Sequence, residues 1–89
     1  MKYKLNKTFV YRRYGNLKFI FAKAFNPEDE FFELNDVADL VACYIWEHDM
    51  VSKEEIMDYI ISESGSEENR EEAEEAFDFF LKKKVILGA

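Results

Sequence analysis

The stretch Phe31-Phe32-Glu33-Leu34-Asn35 decides the fold, because a run that favours β structure ends there in a residue that can cap a helix. The aromatic side chains, preceded by turn-forming residues at 26–29, predict a short strand over about 30–34 whose last residue turns into the core. Asn35 is then the N-cap of a helix with acidic side chains in its first turn, where the helix dipole favours them. If this strand lies at a sheet edge, its unpaired backbone groups can accept a partner strand.

Length and composition predict a single small domain. A chain of 89 residues can build one modest core. Nine Phe, five Tyr and one Trp supply more apolar surface than such a core hides, so we expect aromatic surface to remain for a partner. The single cysteine, Cys43, excludes an intramolecular disulfide and suits a reducing compartment. Because neither a signal peptide nor a membrane-spanning run is recognisable, we predict a cytoplasmic protein without a membrane partner.

The net charge of −7 is unevenly distributed. Residues 1–27 contain seven Lys or Arg and no acid, whereas the remainder contains nineteen acids and five bases. Packing of the two parts against each other, with partial neutralisation, is the simpler explanation of this asymmetry. The alternative is a protein with two faces that bind different partners.

Two β-favouring runs precede the central stretch and flank Gly15-Asn16. Gly15 can supply the positive φ of a two-residue turn, so the runs predict a hairpin with strands over about 4–14 and 17–25. Together with the strand over 30–34 they form a three-stranded antiparallel sheet. One face of the second strand must be core, and the two faces carry Leu17, Phe19 and Phe21 against Lys18, Ile20 and Ala22.

Three helices are predicted after the sheet, over about 35–48, 52–64 and 67–84. Ser52 and Glu55 form a capping box for the second helix, and Ser66 opens a similar signature for the third. Phe79 lies on the flank of the third helix and is a candidate for lining a groove. The core stripe of this helix consists of Ala73, Ala76, Phe77, Phe80 and Lys84. Residues 85–87 are expected to pack back on the core as a short tail.

No catalytic constellation can be assembled from the sequence. The chain has one His and one Cys, and it lacks a Gly-rich phosphate loop and paired metal-ligand clusters. Its carboxylates have the spacing of solvated helix faces. We therefore predict no catalytic residues, no metal site and no cofactor, and we do not expect the chain to act as an enzyme.

The order of hairpin, third strand and three helices resembles the PqqD-like family, the recognition elements (RREs) of ribosomally synthesised and post-translationally modified peptides (RiPPs). The matching features are the segment 32–35 followed by Ala38, the helix opening from Ser52 to Ile56, and the third-helix run Ala73, Ala76, Phe77 and Phe80 that ends in Val85-Ile86. The sequence departs from the family pattern in Lys82-Lys83-Lys84, where a Gly often precedes the final apolar residues, and in its more acidic third helix.

This resemblance implies a winged helix-turn-helix-like α+β domain that binds the leader segment of a precursor peptide. In the family the leader adds as a strand beside the third strand, in a cleft closed by the third helix. The residues alone indicate the same place, an aromatic strand that can be an edge beside a helix with a spare Phe. The predicted peptide-binding residues are Glu30, Phe31, Phe32, Glu33, Leu34, Glu72, Glu75, Ala76, Phe79 and Phe80.

Within this set, different residues have different expected roles. Main-chain bonds from residues 30–34 would set the register of the leader, and Phe31, Ala76, Phe79 and Phe80 would line pockets for its side chains. Phe32 and Phe80 also fit an ordinary core. The carboxylates would select Lys or Arg in the leader, and they are Glu33, Glu72 and Glu75.

The resemblance also implies a partner enzyme, because standalone members of the family hand the peptide to a separate modifying enzyme, often a radical S-adenosylmethionine enzyme. Such a platform raises the effective concentration of the peptide at the active site. The candidate docking face is the basic hairpin, with Arg12, Arg13, Lys18 and Lys23.

Three other interpretations remain open. A winged-helix DNA-binding regulator is the main alternative, although the acidic third helix opposes the phosphate attraction on which such binding depends. A structural subunit of an obligate protein complex is the second. Self-pairing through the exposed edge strand would also give a homodimer. The sequence leaves open which precursor peptide, modification and partner enzyme are involved.

Overall fold

The computed structural model describes residues 1–22, 31–48, 50–65 and 67–88. The predicted α+β class is confirmed: three helices and six short strands follow one another in these described ranges. In order they are β1 (Tyr3–Leu5), β2 (Phe9–Tyr14), β3 (Leu17–Ala22), β4 (Phe31–Glu33), α1 (Asp36–Glu47), β5 (Met50–Val51), α2 (Lys53–Ser64), α3 (Glu68–Lys82) and β6 (Ile86–Gly88).

The strands form two three-stranded antiparallel sheets instead of the one that was predicted. One sheet has the order β2-β3-β4 and contains the hairpin, and the other has the order β5-β1-β6. The predicted strand over 4–14 is divided because Asn6 turns the chain: its side chain accepts a hydrogen bond from the Thr8 amide and donates one to the Lys84 carbonyl. Two residues of the expected C-terminal tail, Ile86 and Leu87, belong to β6, which pairs with β1.

The predicted hairpin is present in the first of these sheets. Gly15 has φ +61 in its turn, and the pairing runs from Tyr14 opposite Leu17 to Phe9 opposite Ala22. Ile20 is fully buried, so its face of β3 packs on the helices and the face that carries Phe19 and Phe21 points outward. The predicted strand residues 23–25, and residue 30, lie outside the described part of the chain.

Local capping signals define the starts of the first two helices. The Asn35 side chain accepts a hydrogen bond from the Ala38 amide at 2.8 Å, and Ser52 and Glu55 form the complete capping box. Gly65, with φ 67, ends α2 in the left-handed conformation. The predicted cap of the third helix, Ser66, lies outside the described residues.

One hydrophobic core joins both sheets to the three helices. From α3 it receives Ala73, Phe77 and Phe80, as the helical spacing predicted. Lys84 does not belong to this stripe, because α3 ends before it and its positive φ of 63 turns the exposed side chain away. The other large buried side chains include Ile20, Val41, Ile45, Val51, Ile56, Ile60, Val85 and Ile86.

Candidate functional site

Strand β4 forms an edge of the described sheet, with its other side paired to β3. Its residues Phe31, Phe32 and Glu33 lie opposite Phe21, Ile20 and Phe19, and the Leu34 amide donates to the Lys18 carbonyl at 2.8 Å. Hydrogen-bonded and non-hydrogen-bonded pairs alternate along an antiparallel ladder. Phe32 and Leu34 therefore direct their backbone groups towards β3, whereas Phe31 and Glu33 direct theirs to the open edge.

The side chains of β4 alternate between two surfaces. Phe32 points towards α3 and meets Phe79 edge-to-face, with ring centroids 5.2 Å apart. Phe31 points to the outer face, where it is 47% exposed and stacks on Phe19 at 5.0 Å. Phe31 and Phe79, which were both predicted to line pockets for leader side chains, therefore lie on opposite sides of the sheet and cannot line the same pocket.

An open cavity of about 520 Å³ lies between β4 and α3. Its lining contains seven of the ten predicted peptide-binding residues, together with Asn35 and Ala38, which the prediction had assigned to the helix start. Phe31 and Phe32 are absent from the lining, and Glu30 lies outside the described residues. The lining residues are Glu33, Leu34, Asn35, Ala38, Glu72, Glu75, Ala76, Phe79 and Phe80.

Helix α3 presents different residues to the core and to the groove. Phe80 is 1% exposed and is a core residue at the base of the groove, whereas Phe79 is 39% exposed. The Lys83 ammonium lies 5.9 Å from the centroid of Phe32 and 6.0 Å from that of Phe79. Sequence reasoning missed this cation, because the run of three lysines does not indicate which of them turns back towards the strand.

Carboxylates dominate the charge around the groove. Glu33, Glu72 and Glu75 are exposed, and in the described part of the chain none of them forms an ion pair. The nearest basic residue along this part of α3, Arg70, binds Glu74 instead. The groove therefore presents uncompensated negative charge to a bound ligand.

The basic hairpin is partly neutralised by the acidic half of the chain. Arg13 binds Asp39 at 2.6 Å and Lys18 binds Asp36 at 2.7 Å, which lowers the pKa of Asp36. These pairs support packing between the two parts as the origin of the charge asymmetry. Of the four predicted docking residues, Arg12 is exposed and donates to the Tyr11 carbonyl, and Lys23 lies outside the described residues.

A polar cluster around the buried carboxylate of Asp39 fixes the hairpin to α1. Asp39 is 3% exposed and accepts hydrogen bonds from the Tyr11 hydroxyl and from Arg13. Burial, and then the bond to Asp39, raise the pKa of Tyr11. Cys43 joins the cluster through its Sγ, 3.1 Å from the Tyr11 oxygen. The sheet that carries β4 is thus held to the helices by polar contacts as well as by the core.

Neither a metal centre nor a membrane span is found in the described ranges. No group of three or more His, Cys, Asp or Glu side chains there could hold a metal ion. None of the described helices is both long and apolar enough to cross a membrane.

Comparison with known proteins supports the fold. No protein-family profile matches the chain, and no curated protein sequence matches it. A solved structure, TbiB1 in complex with the TbiA(beta) leader peptide, matches with a TM-score of 0.73 and 16% sequence identity. The match covers 97% of this chain and 96% of that chain. This protein therefore has, over nearly its whole length, the same fold as a protein that has been solved with a leader peptide bound.

Proposed function

We propose that this protein binds the leader segment of a ribosomally synthesised precursor peptide and presents it to a separate modifying enzyme during RiPP biosynthesis. The observation that carries this proposal is the open edge of β4 beside the groove of α3. An extended peptide can add to such an edge through main-chain hydrogen bonds and place alternate side chains in an adjacent groove. TbiB1, which has a leader peptide in its solved complex, shares the fold and supports the same use here.

The edge and the groove make different contributions to binding. The backbone N–H and C=O groups of Phe31 and Glu33 can bond to an added strand, and each such bond contributes about 0.5–1.5 kcal/mol net. The exposed part of Phe79, with Ala76 beside it, offers apolar surface to side chains of the peptide. Burial of such surface contributes about 25 cal/mol per Å². The main chain sets the register, and the groove selects the sequence.

Presentation to an enzyme requires a second surface that remains free when the leader is bound. The tip of the β2–β3 hairpin supplies one, because Tyr14 is 79% exposed and Leu17 and Arg12 are exposed beside it. These three residues are our candidate enzyme contact, since Arg13 and Lys18 already form ion pairs within the protein. The family resemblance suggests a radical S-adenosylmethionine enzyme as one candidate partner.

DNA binding remains the alternative to be tested. In a winged-helix protein α3 would enter the major groove, where phosphates repel carboxylates. The exposed acids of α3, which include Glu71, Glu72 and Glu75, oppose that arrangement. Exposed Arg12 on the hairpin still favours DNA binding.

The deciding experiment is a fluorescence-anisotropy titration with leader peptides of precursors encoded beside the gene, and with a random DNA duplex at two salt concentrations. We expect saturable leader binding that Phe79→Ala weakens and Tyr14→Ala leaves unchanged, because both variants remove an exposed aromatic ring but only Phe79 lines the groove. With the modifying enzyme added, Tyr14→Ala should instead reduce formation of the ternary complex. Absence of leader binding, together with salt-sensitive DNA binding, would refute the proposal.

A further inference from the structure

We infer that the groove selects a leader segment with two adjacent basic residues next to two adjacent apolar residues. This inference rests on the proposed function and specifies the peptide chemistry that the site accepts. Its basis is the way charge and aromatic surface are divided along β4 and across the two faces of its sheet. The order of the two pairs in the leader depends on whether the added strand runs parallel or antiparallel to β4.

The first step concerns the two faces of the added strand. Successive side chains of a strand point to opposite faces, so residues of the leader beside Phe31 and Glu33 share the outer face with them. Residues beside Phe32 and Leu34 enter the groove. Two consecutive leader residues therefore meet two different environments, one on each side of the sheet.

The second step concerns the aromatic end of the edge. On the outer face Phe31 stacks with Phe19, and on the groove side Phe32 packs against Phe79. Both environments at this end are apolar rings, and the Lys83 ammonium lies about 6 Å from each ring of the pair formed by Phe32 and Phe79. Apolar leader side chains fit here on both faces, whereas the Lys83 charge disfavours a basic one.

The third step concerns the acidic end. Phe79 and Lys83 lie near the end of α3, and Glu75 and Glu72 precede Phe79 by about one and two turns of helix, or roughly 6 and 10 Å. These acids therefore flank the part of the groove beyond Phe32, where Leu34 and Asn35 also line the cavity. Glu33 borders the cavity, but it pairs with Phe19 of β3, so the alternation of the strand directs its carboxylate to the outer face at the same end. An added peptide strand therefore meets negative charge at this end of β4 on both faces of the sheet.

The charges at this end have no internal partner among the described residues, which is why a basic ligand gains from them. The ion pairs among the described residues join other side chains, so Glu72 and Glu75 at the groove and Glu33 on the outer face are free to bind a Lys or Arg of the peptide. Exposed pairs of this kind contribute about 1.5- to 5-fold each in affinity. Added salt weakens them, since the screening length is about 10 Å at 0.1 M.

The test is a selection from a displayed library of random 12-residue peptides, performed with three forms of the protein. With the wild-type protein we expect enrichment of a basic pair adjacent to an apolar pair. With Glu33→Lys, the preferred charge should reverse at one position of the basic pair. With the double variant Glu72→Lys, Glu75→Lys, it should reverse at the neighbouring position. Thermal melts verify that the variants fold, as expected for exposed side chains.

The possible failures are distinguishable. Enriched peptides that lose binding to Glu33→Pro but show no preference for basic residues would overturn this inference and leave strand addition intact. The inference would also be overturned if both sets of substitutions reversed the preferred charge at the same peptide position. In that case the carboxylates on the two faces would not contact different residues of the peptide. If no peptide is enriched, or if the enriched peptides bind equally well to Glu33→Pro, the proposed function fails as well.

Discussion

The direction of the backbone groups in β4 gives a sharp prediction for Glu33→Pro. Proline removes the amide hydrogen of residue 33, which the ladder pattern directs to the open edge. The bonds between β3 and β4 involve Phe32 and Leu34 and remain intact, and proline is tolerated on edge strands for this reason. The variant should therefore keep the fold while losing a donor that an added strand needs.

The expected loss of affinity follows from two effects. One backbone hydrogen bond contributes about 0.5–1.5 kcal/mol net. The proline ring also projects into the space that the leader backbone would occupy. We therefore expect the Kd for a leader peptide to rise at least about tenfold, which corresponds to about 1.4 kcal/mol. The matched control, Glu33→Ala, removes the same carboxylate but keeps the amide, so its Kd should rise only about 1.5- to 5-fold.

Calorimetric titration of both variants with one leader peptide measures the difference. Hydrogen exchange provides a second readout without any variant: the Phe31 and Glu33 amides should exchange quickly in the free protein and slowly with peptide bound, whereas Phe32 should be protected in both states. A Phe32→Pro variant should lose stability, because its amide belongs to the ladder. Equal affinities for Glu33→Pro and Glu33→Ala would show that the β4 edge does not hold the leader.

Three further predictions concern stability and can be measured by urea unfolding. Asp39→Ala should lower the free energy of unfolding by about 2 kcal/mol, because it removes the carboxylate that accepts hydrogen bonds from the half-buried Tyr11 hydroxyl and from Arg13; no loss would mean that the cluster does not fix the hairpin. Hydrogen bonds from Tyr44 and from the Ser52 amide lower the pKa of Glu55 to about 2 from its ordinary value of 4.5. Its charged form thus stabilises the fold above pH 4.5, and this contribution is lost as the pH falls towards 2. Glu55→Gln should flatten the acid dependence of stability in that window, and an unchanged slope would contradict the assignment. Gly15→Ala should cost about 1–2 kcal/mol, because its φ of +61 is unfavourable for a residue with a Cβ; Asn16→Ala is the control in the same turn.

Local chemistry explains which parts of the fold were predictable. Asn35, Ser52 and Gly15 act on backbone groups within three residues of themselves, so the sequence around them is sufficient to place the helix starts and the hairpin turn. Strands β5 and β6 were missed for the opposite reason. Each has only two or three residues, and each exists because it pairs with β1, as when Lys4 meets Leu87. No pattern in neighbouring residues indicates that a strand will pair with another strand so far away in the sequence.

The face on which Phe31 lies could not be predicted, because both faces of its sheet are apolar. When one face of a strand is polar, the sequence indicates that the other face is buried. In β3, however, Phe19 and Phe21 on one face alternate with Ile20 on the other, so both faces are apolar. Only the packing of Ile20 on the helices decides which set is inside. Because Ile20 faces the helices, Phe21 lies on the outer face of the sheet, and its partner Phe31 lies on that face as well. The prediction identified the residues of the edge but could not assign each to a face.

The carboxylates around the groove also bear on the homodimer that an exposed edge allows. If two copies paired through β4, each would bring its own α3 to the shared edge, so that Glu72 and Glu75 of one copy would approach those of the other. Repulsion between these like charges opposes association of the two copies. Charged residues on edge strands commonly prevent such edge-to-edge pairing. A basic leader strand meets the same carboxylates with the opposite sign. The charge that opposes self-pairing of β4 is therefore the same charge to which our inference assigns the selection of a cationic peptide.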